Sequence, residues 1–251
     1  MKIALCVSGE MRTFSNPIVV EKFYENLFDA YRPDIFVSTW DHIGKSQHDN
    51  TLNEASGINE CEILNVYQNV KNIEIENFNA WLDGLNSDEL KNLWAHYRVD
   101  NILMPTSIPQ FYKIYRANEL KCEYERECGF KYDIVIRYRP DLIMVDKLHL
   151  DANVESTIVN INTKKYHWPN RIYDIFFYSN SENINKMCEV WPNFISVLNH
   201  PFTNGLPNID PCRMLYVQAL INNINVQSMD KNICDVYRNE SYECIRSFLL
   251  D

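Results

Sequence analysis

Two arginines and one aspartate follow an apolar run in the middle of the chain. After residues 132–136 come Arg137, Arg139 and Asp141, at alternate positions. Alternate residues of an extended strand project to the same side, so we expect these three side chains to share one face. Arginine there would bind phosphate, and Asp141 would bind a sugar hydroxyl or a divalent cation such as Mg²⁺ or Mn²⁺. The alternative is a structural ion pair, because buried charges persist mainly when they are paired.

The first apolar run, residues 2–8, also ends in residues that can bind a ligand. Gly9 allows the backbone to approach a ligand closely, Ser8 precedes it, and the guanidinium of Arg12 can contact a diphosphate. A turn with an exposed arginine is the structural alternative.

A third segment, Thr39-Trp40-Asp41, ends the next apolar run. Trp40 offers an indole surface for a base, and Asp41 offers a carboxylate for a sugar hydroxyl; a tryptophan of the core is the structural alternative. In open α/β sheets, ligands bind beyond the carboxyl ends of the strands. The three segments therefore predict one site at that edge of a sheet.

The elements that would hold these segments are those of an α/β fold. Residues 2–8 and 34–40 are typical of strands buried on both faces, and Asn16-Pro17 begins a helix between them. Strand, helix and strand in this order predict a βαβ unit with a right-handed crossover. We expect residues 1–251 to form a single α/β domain, with a mostly parallel central sheet flanked by helices.

Further elements are expected along the rest of the chain. Ser107-Ile108-Pro109-Gln110 has the form of a capping box and predicts a long helix that ends at Cys128 before Gly129. Other helices are expected to begin at Ser87, at an N-cap formed by Ser181 with an end or kink at Pro192, and at Asp210-Pro211. Short strands are expected at 62–67, 73–78, 132–141, 157–161, 172–178, 224–229 and 233–237.

Composition excludes several functional classes. The 251 residues are 46% hydrophobic and 13% aromatic, enough for a sizeable core. The net charge of −10, from 24 basic and 34 acidic residues, opposes attraction to phosphate backbones, so a nucleic-acid partner is not expected. No run reaches the roughly 20 apolar residues of a membrane span, and the opening run is too short for a signal peptide. We expect no transmembrane segment and a cytoplasmic location.

Other site chemistries find no support in the motifs. The eight cysteines contain no C-x-x-C pair, so reduced thiols are expected rather than a zinc site. No phosphate-binding loop or dinucleotide-binding glycine motif occurs. The histidines, for which no ligand or triad spacing is found, are His42, His48, His96, His149, His167 and His200.

Three motifs in order resemble bacterial and viral glycosyltransferases of the GT-A fold that build surface polysaccharides. They are Ile-Ala-Leu-Cys-Val-Ser-Gly-Glu-Met-Arg, Phe-Val-Ser-Thr-Trp and Tyr-Asp-Ile-Val-Ile-Arg-Tyr-Arg-Pro-Asp. Such enzymes usually carry an Asp-x-Asp metal motif at the end of a central strand. Here Arg139-Pro140-Asp141 occupies that place, so the first acidic residue of the motif is an arginine.

The resemblance implies a nucleotide-sugar donor bound by residues 1–145 and a glycan acceptor bound by residues 146–251. The diphosphate would lie near Arg12 and Asp141, with Mn²⁺ or Mg²⁺ at Asp141 if a metal is used. Arg137 and Arg139 would also face the phosphates.

The resemblance also implies roles for residues in the second half of the chain. Asp174 would bind the donor sugar or deprotonate an acceptor hydroxyl, and a pair with Arg171 is the alternative. Asp210 is a rival base, for which a plain N-cap is the alternative. Arg238 would reach back to the phosphates, with an exposed surface arginine as its alternative.

Two other functions remain open from the sequence. A sulfotransferase would hold a phosphosulfate donor on the loop after the first strand, where residues 8–15 supply only part of the expected Ser/Thr-rich turns. A non-catalytic glycan-binding module would use Trp40, Tyr166 and Trp168 as stacking surfaces, but it leaves the strand-end arginines unexplained.

The aromatic loop 164–170 generates a first prediction. If Trp168 stacks on an acceptor sugar, Trp168→Ala should weaken acceptor use while donor hydrolysis is unchanged. Rates of transfer and of donor hydrolysis measured on one preparation separate these effects. Equal loss of both rates would indicate a role in folding.

Overall fold

The computed structural model describes residues 1–44, 57–85, 90, 107–151, 154–155, 157–161, 170–203, 210–229 and 233–237. Its strands are β1 (Ile3–Ser8), β2 (Asp34–Trp40), β3 (Val70–Glu76), β4 (Ile134–Tyr138), β5 (Leu142–Met144), β6 (Thr157–Asn160), β7 (Phe176–Ser179), β8 (Asn225–Ser228) and β9 (Cys234–Val236). Its helices are α1 (Pro17–Phe23), α2 (Asp29–Tyr31), α3 (Glu60–Val66), α4 (Phe78–Asp83), α5 (Ser107–Cys128), α6 (Ser181–Cys188), α7 (Phe194–Leu198) and α8 (Pro211–Ile221).

A seven-stranded sheet forms the centre, in the order β3-β2-β1-β4-β7-β6-β8. Its strands run parallel except for β7, which is antiparallel to β4 and β6. Strands β5 and β9 form a separate antiparallel pair. The expected α/β fold with a mostly parallel central sheet flanked by helices is therefore confirmed. The sheet takes strands from both residues 1–145 and residues 146–251.

The order of the strands places a switch point between β1 and β4. The chain passes from β1 to β2 and β3 on one side, and β4 lies on the other side of β1. Helices on opposite faces diverge at such a point and leave a crevice beyond the carboxyl ends of the two strands.

Each face of the sheet carries its own apolar core. Leu5, Val7 and Ile136 pack with α1 and the π-helical turn Tyr24–Phe28 that continues it. Cys6, Val135 and the other alternate residues face the second core, which contains side chains of α5 to α8. The long α5 ends as expected before Gly129, whose φ of +69° favours glycine.

Three expected elements differ from the structure. Residues 62–67 were expected to be a strand, but α3 forms there because Asn59 and Glu62 make a reciprocal capping box. The N-cap of α6 is Asn180, not Ser181, because the Asn180 side chain accepts from the Asn183 N–H. The strand expected at 132–141 ends at Tyr138 and gives way to a turn, closed by a bond from the Leu142 N–H to the Arg139 carbonyl.

The remaining expected boundaries are close to the observed ones. Asp210 caps α8 through the Arg213 N–H, at 3.2 Å, as its sequence context predicts. Strands β3, β6, β7, β8 and β9 lie within or beside the expected ranges. The helix expected from Ser87 lies almost wholly outside the described residues.

A buried ion pair within α5 hydrogen-bonds to Ser181, the first residue of α6. Nζ of Lys121 lies 3.2 Å from Glu125 Oε2, and both side chains are completely buried. Ser181 donates to Glu125 Oε1 at 2.7 Å and receives a hydrogen bond from Lys121 at 2.6 Å. A buried charge requires compensation of this kind, so the pair fixes the contact between the two helices.

Glu125→Gln should lower the free energy of unfolding by about 3–5 kcal/mol, because it leaves Lys121 buried without its carboxylate. Urea denaturation measures the difference. The matched control is Glu182→Gln, which breaks the exposed Glu182–Lys186 pair with the same i,i+4 spacing. That control should leave the free energy of unfolding essentially unchanged, because an exposed ion pair contributes little to stability. Similar losses in both variants would contradict a special role for the buried pair.

Candidate functional site

The turn after β1 brings the backbone to the switch point. Gly9 has a φ of +113°, a conformation that residues with a Cβ rarely adopt. The Gly9 N–H donates to the Ser38 carbonyl at 3.2 Å, and Thr39 Oγ1 donates to the Gly9 carbonyl at 2.8 Å. The glycine turn is thereby tied to the end of β2. Glu10 and Arg12 follow this turn, so their backbone positions are fixed close to the end of β2.

Asp141 lies between two guanidinium groups beyond the ends of β1 and β4. Arg139 Nε donates to Asp141 Oδ1 at 2.5 Å and its Nη2 donates to Oδ2 at 3.2 Å. Arg12 Nη1 donates to the same Oδ2 at 3.1 Å. The Asp141 side chain is 0% exposed. The two arginines and the aspartate therefore form a charge-paired clamp, in agreement with the structural alternative for Arg139 and Asp141.

The clamp continues toward β2 through Glu10 and His42. Arg12 Nη2 lies 2.7 Å from Glu10 Oε2, and His42 Nε2 lies 3.7 Å from Glu10 Oε1. The hydrogen bond with Glu10 raises the pKa of His42. Burial raises the pKa of Glu10, but the hydrogen bond from His42 and the charge of Arg12 outweigh it and hold this pKa below its ordinary value. Both shifts favour the charged forms, so charges alternate along this chain of side chains.

Asp41, directly after β2, is the last member of this series of charged side chains. Its carboxylate lies 3.4 Å from His42 Nδ1 and accepts the side-chain amide of Asn77 at 2.5 Å and the Phe78 N–H at 3.3 Å. These bonds hold the pKa of Asp41 below its ordinary value despite burial. Asp41 thus anchors the start of α4 in addition to forming the edge of the site.

Arg137 has a different environment from Arg139. It lies opposite Cys6 and Phe177 in the sheet and faces the second core, with 2% exposure. Its Nη1 donates to the Tyr138 carbonyl, but its Nε and Nη2 have no hydrogen-bond partner among the described residues. Burial lowers the pKa of Arg137 to about 10. The expectation that Arg137, Arg139 and Asp141 form one group on one face is wrong, because the strand ends at Tyr138.

Ser8 is a second unsatisfied group at the switch point. It follows Cys6 on the same face of β1 and is completely buried. Its Oγ has no hydrogen-bond partner within the described part of the chain. Buried polar atoms are nearly always paired in folded proteins, so the unsatisfied atoms of Ser8 and Arg137 point to a ligand.

Trp40 does not offer the indole surface expected from the sequence. It is 2% exposed and packs against Phe78, Trp81 and Tyr112, with ring centroids 4.9–5.8 Å apart. The ammonium group of Lys113 lies 4.2 Å from its ring centroid. Trp40 is therefore a core residue beside the site, which is the structural alternative for it.

Asp174 reaches the same edge of the sheet because β7, which follows it, runs antiparallel to β4. The Gln110 side-chain amide donates to Asp174 Oδ2, and Cys212 Sγ donates to its Oδ1 at 3.6 Å. These two residues belong to the first turns of α5 and α8. The expected alternative, an Asp174–Arg171 pair, is not what forms.

Arg171 instead pairs with Asp210, with Nη2 and Oδ2 2.7 Å apart. Asp210 also caps α8, so both of its oxygens are engaged in structural contacts. Its surroundings do not support the role of catalytic base.

The surroundings of Asp141 do not fit a divalent cation. The guanidinium groups of Arg12 and Arg139 already compensate the Asp141 carboxylate, and a divalent cation bound there would lie against both positive charges. No group of three or more His, Cys, Asp or Glu side chains suited to a metal occurs in the described part of the chain. We therefore derive no step through a metal.

Sequence reasoning missed four residues of this site: Glu10, His42, Gln110 and Cys212. Glu10 lies inside a segment that the sequence analysis singled out, and His42 directly follows Asp41. Their adjacency to strand ends was the available signal. Gln110 was interpreted as a capping residue, and no local pattern connects it to Asp174, 64 positions away.

Parts of the expected site lie outside the described residues, namely Arg238 and the loop 162–169 with Tyr166, His167 and Trp168. The preceding Tyr237 donates its N–H to the Asp141 carbonyl at 2.8 Å. Among the described helices, none is long and apolar enough to span a membrane. Comparisons with protein-family models and with curated proteins find no match.

Asp141→Asn should lower the free energy of unfolding by about 3–5 kcal/mol, because the two guanidinium groups lose the charge that compensates them. Urea denaturation checks this value. Glu10→Gln is the comparison, since Glu10 pairs with Arg12 but its side chain is 26% exposed, and its loss should be about 1 kcal/mol or less. An Asp141→Asn protein with unchanged stability would refute the clamp.

Proposed function

We propose that the protein is a GT-A-like glycosyltransferase that moves a sugar from a nucleoside-diphosphate sugar to a hydroxyl of a glycan. The observation that carries this proposal is that Arg137 Nε and Nη2 and the Ser8 hydroxyl, on the same face of the neighbouring strands β4 and β1, have no hydrogen-bond partner among the described residues. A buried cation without a carboxylate partner is costly, and an anionic ligand group would compensate it. A diphosphate is such a group.

The topology of the sheet supports the proposed fold. When the seven strands of the central sheet are renumbered 1 to 7 in chain order, leaving out β5 and β9, their order across the sheet is 3-2-1-4-6-5-7. Strand 6 of this numbering, which is β7, is the antiparallel one. A seven-stranded mixed sheet of this kind, with a parallel nucleotide-binding half, is consistent with the GT-A resemblance of the three sequence motifs. The switch point lies between the first and fourth strands, where the motifs of the opening strand and of Arg137–Asp141 meet.

Charge compensation favours Arg137 over the clamp as the main phosphate-binding group. Arg12 and Arg139 are balanced by Glu10 and Asp141, so they hold the loops in place and contribute little free positive charge. Arg137 keeps N–H donors without partners among the described residues. Donors fixed where negative charge develops on a leaving group are usually the largest catalytic contribution. Arg137 would supply this stabilisation to the departing diphosphate.

Asp174 is the proposed carboxylate on the sugar side. Gln110 and Cys212 fix its orientation, and the negative charge of Asp174 acts on Arg137. In this position Asp174 would accept a hydrogen bond from a donor-sugar hydroxyl or take the proton of the acceptor hydroxyl. Asp210 has the positioning role of holding Arg171 and capping α8.

The proposal is tested with a panel of UDP-, GDP- and dTDP-sugars, followed by melting temperature and donor hydrolysis. We expect at least one donor to raise the melting temperature and to be hydrolysed. A response to adenosine phosphosulfate instead would favour a sulfotransferase. No response to any donor would refute the transferase, and glycan binding without nucleotide binding would favour the non-catalytic module.

Arg137→Met should separate function from stability. Removal of a buried charge that has no ion-pair partner among the described residues should raise the free energy of unfolding by about 1–3 kcal/mol. Donor hydrolysis should fall by about a hundredfold or more, because a donor to the leaving group is lost. Urea denaturation and hydrolysis rates are measured on the same sample.

Arg139→Met is the matched control, and it should lower stability because Asp141 loses one of its two cations. A destabilised Arg137→Met protein with normal hydrolysis would contradict the role of Arg137.

A further inference from the structure

A groove of about 500 Å³ lies between α5 and α6, outside the candidate site. It extends to Lys131, just before β4, and thus toward the amino ends of the strands. The candidate site lies at the opposite ends of these strands. Residues that line the groove include Tyr115, Asn118, Glu119, Asn185, Glu189 and Asn193.

A directional chain of hydrogen bonds orients two amide side chains in this groove. Lys121 Nζ donates to Asn185 Oδ1 at 2.8 Å, and an ammonium group can only donate. Cys122 Sγ also donates to Asn185 Oδ1, at 3.2 Å, and burial raises the pKa of this thiol and keeps it protonated. Asn118 Nδ2 in turn donates to Cys122 Sγ at 3.6 Å. The chain therefore starts from a fixed positive charge and leaves no freedom to exchange amide oxygen and nitrogen.

Two polar groups remain for a ligand. Asn118 is 2% exposed, and its Oδ1 has no partner among the described residues. Asn185 uses its oxygen for Lys121 and Cys122, so its Nδ2 is the donor that remains. One unsatisfied acceptor thus lies on α5, and one donor lies on α6. A ligand group that both donates and accepts would satisfy the pair.

The charges around the groove indicate a neutral ligand. Two acidic residues, Glu119 and Glu189, and two basic residues, Arg126 and Lys131, line the groove, and Lys131 also pairs with the buried Glu125 at 3.0 Å. The acidic residues supply hydrogen-bond acceptors and the basic residues supply donors. Such a mixed lining matches the hydroxyl groups of a sugar ring, because each hydroxyl both donates and accepts. Tyr115 adds an aromatic side chain on which a sugar ring can pack.

We propose that this groove binds a neutral saccharide unit through Asn118 and Asn185. The inference does not rest on the proposed function, since it requires neither nucleotide binding nor transfer. In a glycosyltransferase, such a groove would hold a part of the glycan remote from the reacting hydroxyl.

The test uses NMR titration of the ¹⁵N-labelled full chain with methyl glycosides of glucose, galactose and N-acetylglucosamine. We expect at least one glycoside to shift the side-chain amide signals of Asn118 and Asn185. Asn118→Leu should weaken its binding about fivefold, the effect of one lost hydrogen bond. Asn79→Leu, the same change on the exposed face of α4, is the control and should leave binding unchanged.

A blocking variant covers the case in which Asn118→Leu does not fold. Asn193 is exposed at the rim of the groove and makes no side-chain cap bond, so Asn193→Trp should fill the groove without disturbing the core. It should abolish the shifts. No shift with any glycoside up to the millimolar range, shifts that persist in both variants, or shifts caused by a triglycine amide alone would overturn the proposal. Nucleotide-sugar binding, measured separately by melting temperature, decides the proposed function and leaves this outcome unaffected.

Discussion

The buried carboxylate of Asp141 is the interaction on which the candidate site depends. It accepts from Arg139 within its own turn and from Arg12 beyond β1, so it joins segments 129 positions apart. A buried carboxylate is stable only when its charge is compensated, and here two guanidinium groups surround it. Glu10 and His42 extend the same alternation of charge to Asp41 at the end of β2. Ion pairs therefore hold the loops after three parallel strands in one arrangement.

Arg137 is the exception to this compensation, and under the proposed function it is the group that would bind the diphosphate. It precedes Arg139 by two positions, but it lies within β4 and faces the second core. Burial of this charge without an ion-pair partner among the described residues destabilises the folded protein. The absence of an ion-pair partner among the described residues distinguishes Arg137 from the clamp, in which Arg12 and Arg139 are paired with Asp141.

Helix α5 connects two regions of the molecule with different roles. Its first turn orients Asp174 through Gln110 at the carboxyl edge of the sheet. Its later turns supply Lys121 and Asn118, which organise the groove beside α6. Both members of the buried Lys121–Glu125 pair hydrogen-bond to Ser181 of α6, so the same polar contacts hold the two helices together and shape the groove between them.

The sequence by itself determined the elements whose signals are local. Buried runs predicted β1, β2 and β4, and caps at Asn16 and Asp210 predicted the starts of α1 and α8, because these bonds join residues only a few positions apart. The same locality made 62–67 misleading, since apolar residues there suggested a strand while the Asn59–Glu62 capping box forms a helix. The segments that bear the site were also evident, because polar residues ended apolar runs.

Only the tertiary structure decided which charge meets which. Arg139 and Asp141 pair within one turn, but Arg12 joins them only because β1 and β4 are neighbours in the sheet. Asp174 meets Gln110 and Cys212, not the nearby Arg171, because β7 is reversed and α5 and α8 begin at the same edge. The end of β4 at Tyr138 separated Arg137 from Arg139. Such pairings depend on strand order and direction, which are set by packing among residues far apart in the chain and leave no local pattern in the sequence.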